Sequence, residues 1–164
     1  MAPLAVFAVI ALVGMLAPQT RTDFSGTWAF DEARSQTRPG GHVVIAKLLG
    51  DEVTIRQDLK EMRQTIRLGS ATVEAVYALD GSESRNLSPE GAGKPDVPVT
   101  SRASWEEGRL VIRSTSTSEV QGRTITTETT RVLWIDAGGK LILDRSGTPT
   151  SEVPTSRSVY TRVR

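Results

Sequence analysis

The chain contains no cysteine and a single histidine, His42, in 164 residues. The first absence excludes disulfide staples, thiolate nucleophiles, sulfur-ligated zinc and a lipid-modified cysteine. The second leaves acid–base chemistry one imidazole, and no Gly-x-Ser-x-Gly signature supplies a nucleophile to set beside it. Aromatic residues make up only 5% of the chain. A domain with no staples must be held by its core and its backbone hydrogen-bond ladders. Charge of one sign is lacking too. Lys and Arg number 20 against 19 Asp and Glu, with no basic stripe of the kind a phosphate backbone requires, which argues against nucleic acid as a partner.

Long hydrophobic runs are confined to the start, "MAPLAVFAVIALVGMLAPQT", where Leu4 to Leu16 is uninterrupted by charge. The run is shorter than the roughly 20 residues that cross a bilayer. It ends at Ala17, Gln19 and Thr20 and gives way to a polar sequence. Residues 1–20 therefore read as a signal peptide, and residues 21–164 as one exported domain, periplasmic or secreted, with no stable membrane insertion once the signal is removed. The run has no preceding Lys or Arg, which keeps a short N-terminal anchor as the alternative.

Past the leader no stretch keeps a 3.6-residue apolar period for three turns, whereas two-residue alternation recurs. Phe24, Gly26, Trp28 and Phe30 share one face of the first segment, with Ser25, Thr27, Ala29 and Asp31 on the other. Val53 and Ile55, then Met62, Gln64, Ile66 and Leu68, then Val73, Ala75, Tyr77 and Leu79, then Val99, Ser101, Ala103 and Trp105 repeat the pattern. Each is a strand with one packed face. Gly50-Asp51, Asp80-Gly81, Glu107-Gly108, Gln121-Gly122 and Ala137-Gly138-Gly139 supply the tight turns between them. The expected fold is all-β: an antiparallel up-and-down meander closing into a barrel of about 8–10 strands, since closure removes exposed edges. A two-sheet sandwich is the alternative. Two segments break the rhythm: residues 35–41, which could cover one end of a barrel, and residues 82–98, read as a surface loop in preference to a lid.

Chemistry-bearing constellations are few. Asp51-Glu52 and Glu106-Glu107 sit at turns where acidic residues are solvated, so no metal site is expected. "GAGKPD" places Pro95 after Lys94, where a phosphate loop needs Ser or Thr. No catalytic residue, metal or cofactor is assigned, and the chain is not expected to be an enzyme. The interior is more informative. From Arg123 to Ile135, alternation places Ile125, Thr127, Thr129, Arg131, Leu133 and Ile135 on one face, and Leu110 and Ile112 are followed on theirs by Ser114, Ser116 and Ser118. An interior apolar at one end and hydroxyl-rich at the other suits an amphipathic ligand. A solvated hairpin beyond the core would have the same composition. Arg131, the one charge placed among apolar neighbours, is the first candidate for an anionic anchor, unless a bulge turns it outward. Tyr77 and Trp105 either line such a cavity or, with Met62, Ile66 and Leu79, fill it.

"DFSGTWAFD" near the start and "SVYTRVR" at the end resemble the opening and closing strands of the lipocalin, avidin and fatty-acid-binding barrels. The layout also resembles a group of bacterial exported lipocalin-like (calycin-type) proteins beginning DFSGTW. The resemblance implies that Trp28 plugs one end of a barrel, that Gly26 lets backbone approach, and that Arg162 lies across the indole, with Arg164 as the alternative. It also makes Tyr160 a ligand candidate. Fatty-acid-binding barrels hold a carboxylate with Arg-x-Tyr on the last strand, and here the order is reversed, Tyr160-Thr161-Arg162. The biotin-binding residues of the avidins are not recognisable. The implied function is noncovalent binding of a small apolar or amphipathic molecule by a monomer. The alternative is a filled structural or protein-interaction barrel of the cell envelope with no ligand.

Overall fold

The computed structural model describes residues 21–37, 47–88, 96–147 and 156–163. The leader, His42, Lys94 and Arg164 lie outside the described residues. The strands are β1 (Gly26–Phe30), β2 (Gln36–Thr37), β3 (Glu52–Gln57), β4 (Glu61–Leu68), β5 (Ala71–Ala78), β6 (Glu83–Ser88), β7 (Val97–Glu106), β8 (Arg109–Val120), β9 (Arg123–Ile135), β10 (Leu141–Gly147) and β11 (Ser156–Arg162), with a 3-10 turn at Glu32–Arg34.

Backbone ladders join ten of these strands in the order β5-β4-β3-β1-β11-β10-β9-β8-β7-β6, and the two-residue β2 pairs with β11. From β3 to β5 and from β6 to β11 successive strands are antiparallel neighbours, so the chain is a meander wound into a nearly closed barrel. A single continuous ladder leaves no second sheet, which sets the sandwich aside. The first and last long strands pair with each other, with Trp28 opposite Arg162 and Phe30 opposite Tyr160. The alternation read from sequence appears as burial: Val53, Ile55, Met62, Ala75, Tyr77, Leu79, Ala103 and Trp105 all point inward and are buried. At Glu107-Gly108 and Gln121-Gly122 both residues have positive φ, 50° and 77° in the first and 52° and 73° in the second. That pair of conformations matches the right-handed twist of the flanking strands and lets long hairpins close in two residues.

One expectation fails. Residues 82–98 are not a single irregular stretch, because Glu83–Ser88 forms β6 and β7 begins at Val97. The sequence "ESRNLS" lacks apolar alternation because β6 contributes little to the core, and its Leu87 is 56% exposed. Its position is set instead by a backbone ladder to β7, Glu83 opposite Arg102 through Ser88 opposite Val97.

The core occupies one end of the barrel. Phe24 stacks on Trp105 with rings 5.9 Å apart and nearly parallel, and the Trp28 indole N–H donates to the Phe24 carbonyl at 2.9 Å. Gln57 ties the entering segment to β3, donating to the Thr22 carbonyl at 2.9 Å and accepting from the Phe24 N–H at 3.2 Å. The Arg162 guanidinium lies 4.4 Å from the Trp28 ring centroid and donates to the Ser25 carbonyl at 2.9 Å. Gly26 makes that approach possible: it has φ +136°, and a Cβ there would stand 2.7 Å from Arg162 Nη1. Trp28→Ala is expected to cost about 3–5 kcal/mol in urea denaturation, from lost burial and the void left behind. Arg162→Ala, whose guanidinium is solvent-facing, is expected to cost only about 1–2 kcal/mol, the sum of a surface cation–π contact and one hydrogen bond. Equal costs for the two would contradict this arrangement.

Candidate functional site

Three neighbouring strands stop supplying apolar side chains to the interior within one inward position of each other. On β8, Leu110 and Ile112 are followed by Ser114 and Ser116; on β9, read from its end, Leu133 is followed by Arg131, Thr129 and Thr127; on β10, Leu141 and Leu143 are followed by Arg145. Register aligns the switches of β9 and β10, with Arg131 opposite Arg145, and sets that of β8 one inward position further on, with Ile112 opposite Arg131 and Ser114 opposite Thr129. Short hydroxyls cannot fill the volume that leucines fill below them. The result is a cavity of about 480 Å³ at the end of the barrel away from Trp28. Ile66, Val73 and Val99 face it from other strands and Leu48 from the turn before β3, so one wall is apolar and the other is polar and cationic. Beyond the cavity the β8–β9 hairpin runs out into solvent, and Ile125 is 43% exposed. The hydroxyl-rich composition therefore serves two purposes along the same pair of strands: cavity wall near Ser114 and Thr129, solvated ribbon nearer the tip.

The Arg131 guanidinium donates from Nη2 to the Tyr77 hydroxyl at 2.6 Å and lies 5.2 Å from the ring centroid. Arg145 makes no hydrogen bond or ion pair among the described residues. Burial first, and the neighbouring Arg131 charge second, pull its guanidinium below the usual arginine range. Lys47 adds a third cation to the lining, though it is held by Asp51 at 2.5 Å. No Asp or Glu lines the cavity among the described residues. Two unmatched guanidinium groups side by side across a strand pair repel one another, and in a partly desolvated site the repulsion is stronger than at the surface.

The cavity wall also contains the barrel's only seam among the described ladders. β5 and β6 are not joined by a backbone ladder. Side chains bridge them instead: Asn86 accepts from the Val76 N–H at 2.8 Å and donates to the Val76 carbonyl at 3.0 Å, and the Ser84 hydroxyl accepts from the Ala78 N–H at 2.8 Å. Asn86 thereby copies the two hydrogen bonds that a neighbouring residue's backbone would make.

Of the residues expected to meet a ligand, Arg131 and Tyr77 line the cavity. Trp105 and Tyr160 do not, and packing explains why. Trp105 is stacked against Phe24 at the closed end. The Tyr160 hydroxyl accepts from the Leu49 N–H at 2.7 Å and donates to the Gly50 carbonyl at 3.4 Å, and burial raises its pKa well above the usual phenol range. Gly26, Trp28 and Arg162 form the closure described above. Of the possible fillers, Met62 and Leu79 are in the core, whereas Ile66 faces the cavity. Arg145 and Asn86 escaped the sequence reading. Arg145 shares a face with Leu141 and Leu143 in "LILDRSG", so alternation contained the signal. Asn86 sits in a strand that carries no apolar pattern.

No family model matches the chain, and no curated protein is similar to it in sequence. Solved structures are similar in fold. The crystal structure of wild-type fluorescent protein UnaG superposes with a TM-score of 0.55 at 22% identity, covering 85% of this chain and 97% of that one. Fatty-acid-binding protein 1 of Echinococcus granulosus gives a TM-score of 0.55 at 18% identity, covering 86% and 98%. The chain shares the antiparallel β-barrel fold of these structures. At these identities the likeness concerns the path of the backbone, and the lining of the cavity is this chain's own.

Two consequences can be measured. Asn86→Ala removes both side-chain bridges to Val76 and is expected to cost about 1–3 kcal/mol and to speed amide exchange at Val76 above that of its β5 neighbours. Arg145→Met relieves the repulsion with Arg131 and is expected to stabilise the ligand-free protein by about 0.5–1 kcal/mol in urea denaturation. A destabilised Arg145→Met protein would mean that Arg145 has a structural partner.

Proposed function

We propose that the protein binds an amphipathic anion noncovalently, with its apolar part against Leu48, Ile66, Val73 and Val99 and its charged head beside Arg131 and Arg145. The observation that carries this reading is the pair of cavity-facing guanidinium groups with no carboxylate beside them among the described residues. A protein under selection for stability alone would replace a partly buried like-charge pair with apolar side chains, often at a gain. Keeping the pair makes physical sense if an anion completes it. The fold neighbours support the reading only generally, since one of them carries the name of a fatty-acid-binding protein.

The filled structural barrel is less well supported. Phe24, Trp28, Met62, Leu79 and Trp105 fill the closed end, yet the polar end retains a cavity in the volume range of small-molecule sites.

The test is native mass spectrometry of the protein after incubation with a lipid extract from its source cells, followed by thermal denaturation with the molecule recovered. A stoichiometric mass increment is expected, with a stabilisation of about 2.7 kcal/mol at a ligand concentration of 100 Kd. Arg131→Ala is expected to lose the increment while remaining folded. A bare mass under all conditions would overturn the binding reading.

A further inference from the structure

The number and placement of the cations say more about the head group than its sign. Arg131 and Arg145 are directly opposite one another on β9 and β10, so their Cα atoms are about 4.5–5.5 Å apart and their side chains leave the sheet on the same face. Arg131 has one Nη committed to the Tyr77 hydroxyl, and Arg145 has its whole fork uncommitted among the described residues. A carboxylate has lone pairs enough to accept from both forks, but it brings one negative charge to two guanidinium groups. The pair would then keep one positive charge uncompensated in a partly buried site. A phosphate monoester has three terminal oxygens and close to two negative charges at neutral pH. It presents an edge to each fork and leaves neither cation uncompensated.

Resting on the reading of this cavity as a site for an amphipathic anion, we propose that its ligand is a phosphate monoester of an apolar chain, held between Arg131 and Arg145 as a dianion. The hydroxyls of Thr129 and Ser114, both in the lining, stand on the flanking strand positions and complete a polar collar around the head. Selectivity comes from charge count as well as shape. An alkyl sulfate has the same three oxygens and one charge, so it isolates the second charge from the geometry. No histidine or carboxylate lines the cavity among the described residues. Lys47 of the lining is bound to Asp51, whose carboxyl is held below the usual range by that hydrogen bond, by the Gly69 N–H and by the Lys47 charge. Among the described lining residues none is of a type that titrates between about pH 5 and pH 8, whereas the ligand's second phosphate ionisation, at about pH 6, falls in that range.

The experiment is isothermal titration of the full chain with decyl phosphate, decyl sulfate and decanoate below their micellar concentrations, at about pH 8, with decyl phosphate and decyl sulfate repeated at about pH 5. Decyl phosphate is expected to bind about tenfold or more tightly than either monoanion at the higher pH, the size of one additional partly screened charge contact. It is expected to lose that advantage at the lower pH and in Arg145→Met. Three ligands of equal affinity at pH 8, or an advantage that survives in Arg145→Met, would overturn the phosphate assignment and leave the amphiphile reading in place. Failure of all three to bind would overturn both. The pH comparison uses the unmodified protein, so it stands whatever the variant's stability.

Discussion

Everything in this barrel depends on how its first and last long strands are locked together. β1 is only five residues long, and a short strand in the middle of a ladder is a weak place to close a cylinder. Trp28 compensates. Its indole is wholly buried at the closed end, its N–H is used by the Phe24 carbonyl, and its outer face is covered by Arg162 from the strand alongside. The guanidinium in turn holds the Ser25 carbonyl, so the chain entering β1 and the chain leaving β11 are fixed to one ring system. Gly26 is the geometric condition for this contact, because any side chain there would meet the guanidinium.

A closed, dry end permits a costly open one. Phe24, Trp28 and Trp105, together with the leucines of β8, β9 and β10, concentrate apolar burial in one half of the barrel. The other half can then hold serines, threonines and two facing arginines without losing the fold, since the closure does not pass through them. Stability and binding are separated along the barrel axis. The separation is incomplete at Tyr77, which is buried in the core cluster and also gives its hydroxyl to Arg131. That residue couples the packed floor to the cationic wall.

The seam between β5 and β6 shows a different compromise. A full ladder there would close the cylinder with backbone alone, but the two strands are bridged by Asn86 and Ser84. Side-chain bridges reach further than a backbone ladder and admit a wider spacing between strands. The same Asn86 faces the cavity, so the wall nearest the ligand volume is also the part of the barrel held by the fewest backbone bonds.

Alternation and turn chemistry made the meander readable in advance, because a strand with one buried face must repeat every two residues and a two-residue hairpin needs positive φ. By the same rule Arg131 faced the interior, and a slip of one residue would have turned it to solvent. The sequence by itself determined which side chains share a face. It did not determine the height at which each strand stands beside its neighbour. That is why Trp105 and Tyr160, inward on their own strands, turned out to be packing at the closed end, and why Arg145, inward by the same pattern, was passed over. β6 was invisible for a related reason: a strand held by side-chain bridges and one ladder needs no apolar period. The cavity exists because β8, β9 and β10 change from apolar to polar residues within one inward position of each other, and only the register between strands brings those three changes together.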